Sequence, residues 1–303
     1  MTARFEPMHD DRLTAMAADP AGEAWAALLE GIAALEARPA IDTDPLRTLH
    51  HFACTGGTLI AKCIAALPNV QLLSEVDPLS DYVAPGANGF APTDMVALLR
   101  ASTRGSSPEL VAELFGAQMR VLHRDAERRG LRLVLRDHAH SHFCQGRSVA
   151  DRPSLRELMP AGLPLRSLVT VRHPLDSFAS LARNGWLHFE PATIDAYCRR
   201  YAAFLDRHAG VPVLRYEDFV AAPQAAMRRL CDALALRHEP HFAEWFAGFR
   251  VSGDSGRAGD LIQPRPSTPA ALALLPQAQA SEAYAALTQR LGYPADPRSE
   301  APR

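Results

Sequence analysis

LRTLHHFAC (46–54) runs into Thr55-Gly56-Gly57-Thr58 and then into LIAKCIAAL (59–67), which Pro68-Asn69 closes. The first segment reads as a strand and the last as a helix, with a small-residue turn between them. Glycines at such a turn let the backbone approach an anion closely. The unpaired N–H groups of the first helical turn then point at it. Thr55 and Thr58 are expected to add hydroxyl donors. The segment is not a nucleotide-triphosphatase loop, because GxxxxGK[ST] is absent. Taken alone it fits a plain connecting turn equally well.

Working outward, the same alternation repeats. Residues 107–129 read as an amphipathic helix followed by the strand LRLVLRD (131–137). LRSLVTVRH (165–173) reads as another strand, with a helix starting just after Pro174. A helix around 191–207 precedes the strand VPVLRYED (211–218), and a further helix runs from about Pro223 to Ala235. After a Gly/Pro-rich stretch (251–269), ASEAYAALTQRL (280–291) reads as a last helix. Strands separated by helices predict an α/β fold with a central parallel sheet, right-handed crossovers and helices on its faces. Residues 1–45, with helical spacing over 21–37, are expected to form a helical lead-in to one domain spanning 46–303. In such folds ligands bind beyond the carboxyl ends of the strands.

Composition narrows the function classes. Of 303 residues 48% are hydrophobic and 22% charged, and the net charge is −2. That balance argues against nucleic acid or an acidic membrane surface as partner. No apolar run is long enough to span a bilayer, and MTARFEPMHDDR lacks the pattern of a secretory signal. Five scattered cysteines without metal-ligand spacing point to thiols in a reducing cytoplasm. Lys62 is the sole lysine among 32 basic residues, an arginine bias expected of a GC-rich bacterial genome. It lies four residues beyond Thr58 on one helix face, and helical side chains lean toward the N-terminus. Its ammonium is therefore a candidate to reach an anion at the turn, against the alternative of a solvated surface lysine.

LVTVRHPLDSFASL (168–181) offers a second anion site. A buried strand delivers Arg172 at its end, Pro174 suits the first turn of a helix, and Ser180 follows about two turns later. An arginine fork and a hydroxyl can together hold a terminal phosphate. The bland alternative pairs Arg172 with Asp176.

Arg-x-Pro-x-Asp-(x)3-Ser after an apolar strand resembles the 3'-phosphate segment of sulfotransferases that use 3'-phosphoadenosine 5'-phosphosulfate (PAPS). The TGGT turn resembles that family's 5'-phosphosulfate loop. Tyr216-Glu217-Asp218 after a strand, with a helix from Pro223, is similar to the family, as is the late loop from Ser252 to Asp260. The four matches stand in family order from residue 46 to about 292. The resemblance implies a P-loop-like three-layer sandwich, no metal requirement and release of 3'-phosphoadenosine 5'-phosphate (PAP). It assigns Thr55, Gly56, Gly57, Thr58 and Leu59 to the 5'-phosphosulfate. It assigns Arg172 and Ser180 to the 3'-phosphate, with Arg257 and Gly259 closing over it, and places Tyr216 near the adenine. Two positions depart from the family: Cys54 stands where a lysine or arginine is usual, and Ala258 where a second basic residue is frequent. Lys62 or Arg136 is expected to supply the missing cation.

RDHAHSHF (136–143) follows a strand, so Arg136 and His138 should lie at the sheet's carboxyl edge. Sulfuryl transfer, like phosphoryl transfer, needs in-line geometry and charge stabilisation. A base must also take the acceptor's proton, which a neutral histidine suits. The resemblance favours His138 as base over Glu75, which other branches of the family match. On an extended chain His138, His140 and His142 would all face one way, and the alternative reading is a zinc-dependent hydrolase built on them. A non-catalytic nucleotide-binding protein is the other alternative. The acceptor, small or carrier-linked, is expected to meet insertions at 76–106 and 184–195, which carry Phe90, Trp186 and Phe189.

Overall fold

The computed structural model describes residues 44–82, 92–253 and 261–299. The helical lead-in expected over 1–45 lies outside them except for its last two residues, as do Phe90, Arg257, Ala258 and Gly259. From the first described residue the chain forms β1 (Leu46–His51), α1 (Gly57–Ala65), β2 (Val70–Val76), α2 (Met95–Arg100), α3 (Pro108–Arg128) and β3 (Arg132–Asp137). A short α4 (Ala139–Phe143) and β4 (Gln145–Gly146) lead to β5 (Leu165–Val171) and α5 (Pro174–Arg183). Then come β6 (His188–Phe189), α6 (Ile194–Arg207), β7 (Val213–Arg215), α7 (Tyr216–Ala221) and α8 (Pro223–Leu234). The described chain ends in α9 (Phe242–Trp245), α10 (Pro269–Ala273), α11 (Leu275–Gln279) and α12 (Glu282–Leu291).

The main sheet is five-stranded and parallel throughout, in the order β2-β3-β1-β5-β7. β1 takes the centre because all six of its residues can be buried. Even Arg47, 1% exposed, is tolerated there, since its guanidinium reaches Asp44 at 2.6 and 2.8 Å and the carbonyls of Leu234 and Ala235. Helices cover both faces, as buried parallel strands require. On one side Leu49, Val134 and Leu168 pack with Ile60 and Ile64 of α1, Leu230 of α8 and Phe242 of α9. On the other, Phe52 and Val169 pack with Leu175 of α5, Tyr201 and Phe204 of α6 and Leu287 of α12. Phe115 and Met119 of α3 cover Leu133 and Leu135 of β3 in a third cluster. The expected three-layer arrangement is the one observed.

Local signals explain most of the helix starts. Ser107 accepts from Leu110 N–H ahead of α3, Thr193 from Ala196 N–H ahead of α6 and Ser281 from Tyr284 N–H ahead of α12. Pro174 opens α5 as its first residue, where its missing N–H costs nothing.

Two expectations need correction, and one strand was not anticipated. VQLLSEV (70–76) is a strand, the edge strand β2, although its half-buried residues and interrupting Gln71, Ser74 and Glu75 hid it. Tyr216-Glu217-Asp218 opens α7 instead of ending a strand, because β7 stops at Arg215. His138, His140 and His142 sit on and around the helical turn α4, where alternate residues do not face one way. His142 Nε2 meets the Ala150 carbonyl at 3.0 Å, and these three histidines do not form the one potential metal-ligand group among the described residues. The basis for a zinc hydrolase on them is removed.

Candidate active site

The TGGT turn sits where β1 ends and α1 begins. Cys54 and Gly56 both take left-handed backbone, φ +64° and +87°. Thr55 does not offer its hydroxyl outward as expected. It is fully buried and donates to the Phe52 carbonyl at 2.7 Å, closing the turn from within. No side chain caps α1, which leaves the Gly57, Thr58 and Leu59 N–H groups at the helix start for an anion. The two glycines are required by packing as well. A Cβ on Gly56 would stand 2.2 Å from the Tyr216 ring, and one on Gly57 2.3 Å from the ring of His51.

Around this turn an aromatic layer is closely packed. Tyr197 donates to the Ala53 carbonyl at 2.9 Å, and Tyr201 stacks on Phe52 with ring centroids 4.5 Å apart. Such a stacked pair is worth roughly 0.5–1.5 kcal/mol beyond its burial. Tyr201 OH also accepts from Arg172 N–H at 3.1 Å, so one helix, α6, fixes both the turn and the strand end bearing Arg172. The Arg172 guanidinium lies 5.0 Å over the Tyr216 ring, and its Nη1 donates to the Cys54 carbonyl at 3.4 Å. Asp176 accepts instead from Ser267 Oγ at 3.0 Å. Ser180 lies buried on α5.

A second group converges from β1, β2, β3 and the late loop. Arg136 is buried, and its Nε donates to His51 Nε2 at 2.7 Å. Its Nη2 donates to Thr58 Oγ1 at 3.1 Å and its Nη1 to Ser74 Oγ at 2.8 Å. Nη1 also pairs with Glu75 Oε1 at 2.6 Å, and Glu75 Oε2 lies 3.4 Å from His138 Nε2. Burial, then the neighbouring Arg136 charge, holds the His51 imidazole well below the ordinary histidine range. It stays neutral and keeps a lone pair for the guanidinium. Ser252 Oγ donates to the Ser74 carbonyl at 2.6 Å, and Gly253 lies where any Cβ would meet Glu75 at 2.3 Å.

Glu75 reaches this cluster through a local irregularity. The β2–β3 register shifts between Leu73 and Val76, and Glu75 has φ +60°. Left-handed backbone at a non-glycine residue costs on the order of 1–2 kcal/mol, and such strain concentrates at functional sites.

The structure thus brings Thr58, Glu75, Arg136 and His138 together, and separately Gly56, Arg172 and Tyr216. Lys62 lies in the last turn of α1, at the opposite end from the uncapped N–H groups. His51 and Ser74 join the site without having been expected there, and Ser252 enters it from the start of the late loop. Only the doubled histidine at the end of β1 hinted at the first.

Beside His138 the two expected acceptor segments do meet. Tyr82 OH bonds His188 Nδ1, and the Tyr82 ring lies 5.7 Å from His138. Trp186 stands edge-on to His140 at 6.2 Å. Phe189 is not part of that wall, being 1% exposed with the Arg200 guanidinium 4.9 Å over its ring.

Solved structures superpose on this chain as follows. The sulfotransferase domain of the Synechococcus PCC 7002 olefin synthase superposes with a TM-score of 0.53 at 18% identity, covering 84% of this chain and 96% of that one. The sulfotransferase domain of the curacin biosynthetic pathway gives 0.48 at 18% identity, covering 82% and 98%. Mouse sulfotransferase SULT7A1 complexed with PAP gives 0.40 at 11%, covering 82% and 89%. No curated protein matches the sequence. A sequence model described as the sulfotransferase family matches residues 52–240, which contain the turn, Glu75, Arg136, His138, Arg172 and Tyr216, and on that match the chain belongs to the sulfotransferase family.

Proposed function

We propose that this chain transfers the sulfuryl group of PAPS to an acceptor hydroxyl or amine and releases PAP. The observation that carries this reading is the meeting of two anion-directed features at one sheet edge. These are the uncapped N–H groups at the start of α1 and the Arg172 guanidinium, joined through the Cys54 carbonyl and Tyr216. The first suits the 5'-phosphosulfate. Arg172, with Ser180, suits the 3'-phosphate. Arg257 and Gly259 belong to this reading through the family resemblance alone.

The reaction is an in-line displacement at sulfur. The acceptor oxygen or nitrogen forms a bond to sulfur as the bond to the bridging phosphate oxygen breaks, and that electron pair leaves with PAP. Charge develops on the leaving oxygen, and Arg136, bonded to Thr58 at the turn, is the cation we assign to it in place of the residue missing at Cys54. Lys62 is the weaker candidate, lying in the last turn of α1. His138 takes the acceptor proton. Glu75, bound to Arg136 on one oxygen and 3.4 Å from His138 Nε2 on the other, orients it. Acceptor binding falls to the Tyr82–His188–Trp186 wall, and the acceptor is a small or carrier-linked molecule. No described helix is long and apolar enough to cross a membrane. None of the five cysteines forms a disulfide, which supports a reducing, cytoplasmic setting.

Calorimetric titration with PAP, with AMP and ATP alongside, tests the reading. Micromolar PAP binding, much weaker AMP binding and a loss of about 100-fold or more in Arg172→Ala are expected, in line with removing a bidentate phosphate partner. Folded protein that ignores PAP would sink the assignment.

A further inference from the structure

One residue along from His51 and Arg136, on the opposite face of the sheet, the side chains of His50 and Asp137 meet beneath α6. His50 Nδ1 lies 2.8 Å from Asp137 Oδ2. The imidazole of His208, the residue that ends α6, packs on His50 with ring centroids 4.3 Å apart. All three are buried, at 0%, 5% and 3% exposure.

Of the other three ring nitrogens, two are already engaged. His50 Nε2 bonds Thr48 Oγ1 at 2.9 Å, and Thr48 bonds Ser167 Oγ at 2.7 Å. His208 Nδ1 donates to the Phe204 carbonyl at 2.8 Å. This is how metal-binding histidines are normally held, with one nitrogen tied to a carbonyl or hydroxyl so that the other is presented to the ion. His208 Nε2 is the nitrogen so presented. It is buried and has no hydrogen-bond partner, a state that leaves a desolvated lone pair uncompensated.

We propose that His50, Asp137 and His208 form a buried site for one divalent transition-metal ion, zinc being an ion that two imidazoles and a carboxylate bind. Their ligand atoms all lie within 4.8 Å of one another. Tetrahedral zinc with bonds of about 2.0–2.1 Å holds its ligand atoms roughly 3.3 Å apart, so side-chain shifts of about 1 Å complete the site, with water as fourth ligand. The cation nearest in influence to both imidazoles is Arg156, which is exposed and therefore screened. The ion would pin α6 to β1 and β3. That matters because α6 supplies Tyr197 and Tyr201, which hold the turn and the Arg172 strand end. The site lies behind the reaction centre and stands independently of the sulfuryl-transfer reading.

The test is the metal content of the full chain, purified without chelator from zinc-supplemented cells, beside His208→Ala and His208→Cys. The wild type is expected to keep about one zinc per chain through gel filtration, and His208→Ala about a tenth of that or less. His208→Cys is expected to regain the metal and, grown on cobalt, to show a thiolate-to-metal absorption band that the wild type lacks. Folded wild-type protein carrying only trace metal overturns the proposal, as does a His208→Ala variant that keeps the wild-type content. If His208→Ala does not fold, the cysteine variant decides, and folded His208→Cys without the thiolate band overturns the proposal.

Discussion

Arg136 and Glu75 form a 2.6 Å ion pair across the β2–β3 edge, and Glu75 reaches it only by taking left-handed backbone at the bulge. The pair puts a buried cation within 3.1 Å of Thr58 at the anion turn and, through the carboxylate, adjoins His138. The first predictions concern this arrangement.

Arg136→Ala should lower PAPS turnover by about 10²–10³-fold, the usual loss when one preorganised charge stabiliser is removed. Arg136→Lys should recover little of it, because an ammonium cannot serve His51, Thr58 and Glu75 at once. Release of PAP from PAPS with a screened acceptor measures this. Wild-type rates in Arg136→Ala would return the cation role to Lys62.

His138→Ala should lower kcat by about 10²–10⁴-fold, and Glu75→Gln by less, with KM for PAPS little changed in both. If Glu75 acts through His138, the double variant should be no slower than His138→Ala, the signature of coupled residues. A double variant showing the product of two independent losses would give Glu75 a separate role as base.

Gly57→Ala forces a methyl group against the His51 ring, at 2.3 Å from its nearest atom. Overpacking of this kind costs about 1–3 kcal/mol. Both the thermal midpoint and PAP affinity should fall, because His51 must move away from Arg136. Differential scanning calorimetry together with PAP titration checks the two effects.

Arg47→Met should destabilise the fold without touching the site. It removes a buried guanidinium from Asp44 and from two carbonyls at the end of α8. Breaking one side of a buried pair costs about 3–5 kcal/mol, which denaturant unfolding at neutral pH will report.

His140 carries a pH dependence. Burial first, and then the charges of His138 and His188, lower its pKa to about 3 from 6.5. A histidine depressed on folding contributes stability that is fully present above 6.5 and is lost as the pH falls toward the folded value. Replacement by glutamine should therefore flatten the fall in stability between pH 6.5 and 3, by roughly 2–3 kcal/mol at pH 4.5. Urea midpoints at pH 7 and 4.5, compared between wild type and variant, measure it. An unchanged acid slope would contradict the buried neutral state.

Parts of this molecule were legible in the residue order because their cause is local. LRTLHHFAC before TGGT, with the helical spacing of LIAKCIAAL after it, reads as a strand feeding a helix start, and Pro174 after LVTVRH marks the next one. The edge strand β2 was not legible, since an edge tolerates Gln71, Ser74 and Glu75 and shows no clean alternation. Nor was the helical turn of His138–His142, whose alternation imitates a strand.

The residue order by itself determined the alternation of strands and helices that defines the α/β class, the glycine turn and the strand-end arginine, whose signals lie within a few residues of one another. Tertiary structure alone decided which charges meet. β1 and β3 pair with Leu49 beside Arg136. That register sends His51 and Arg136 to one face of the sheet, His50 and Asp137 to the other, and the β2 bulge carries Glu75 to the first pair. Residues far apart in the chain become partners only once register and burial are set. Desolvation then makes each of those partnerships strong, and no local pattern in the sequence encodes it.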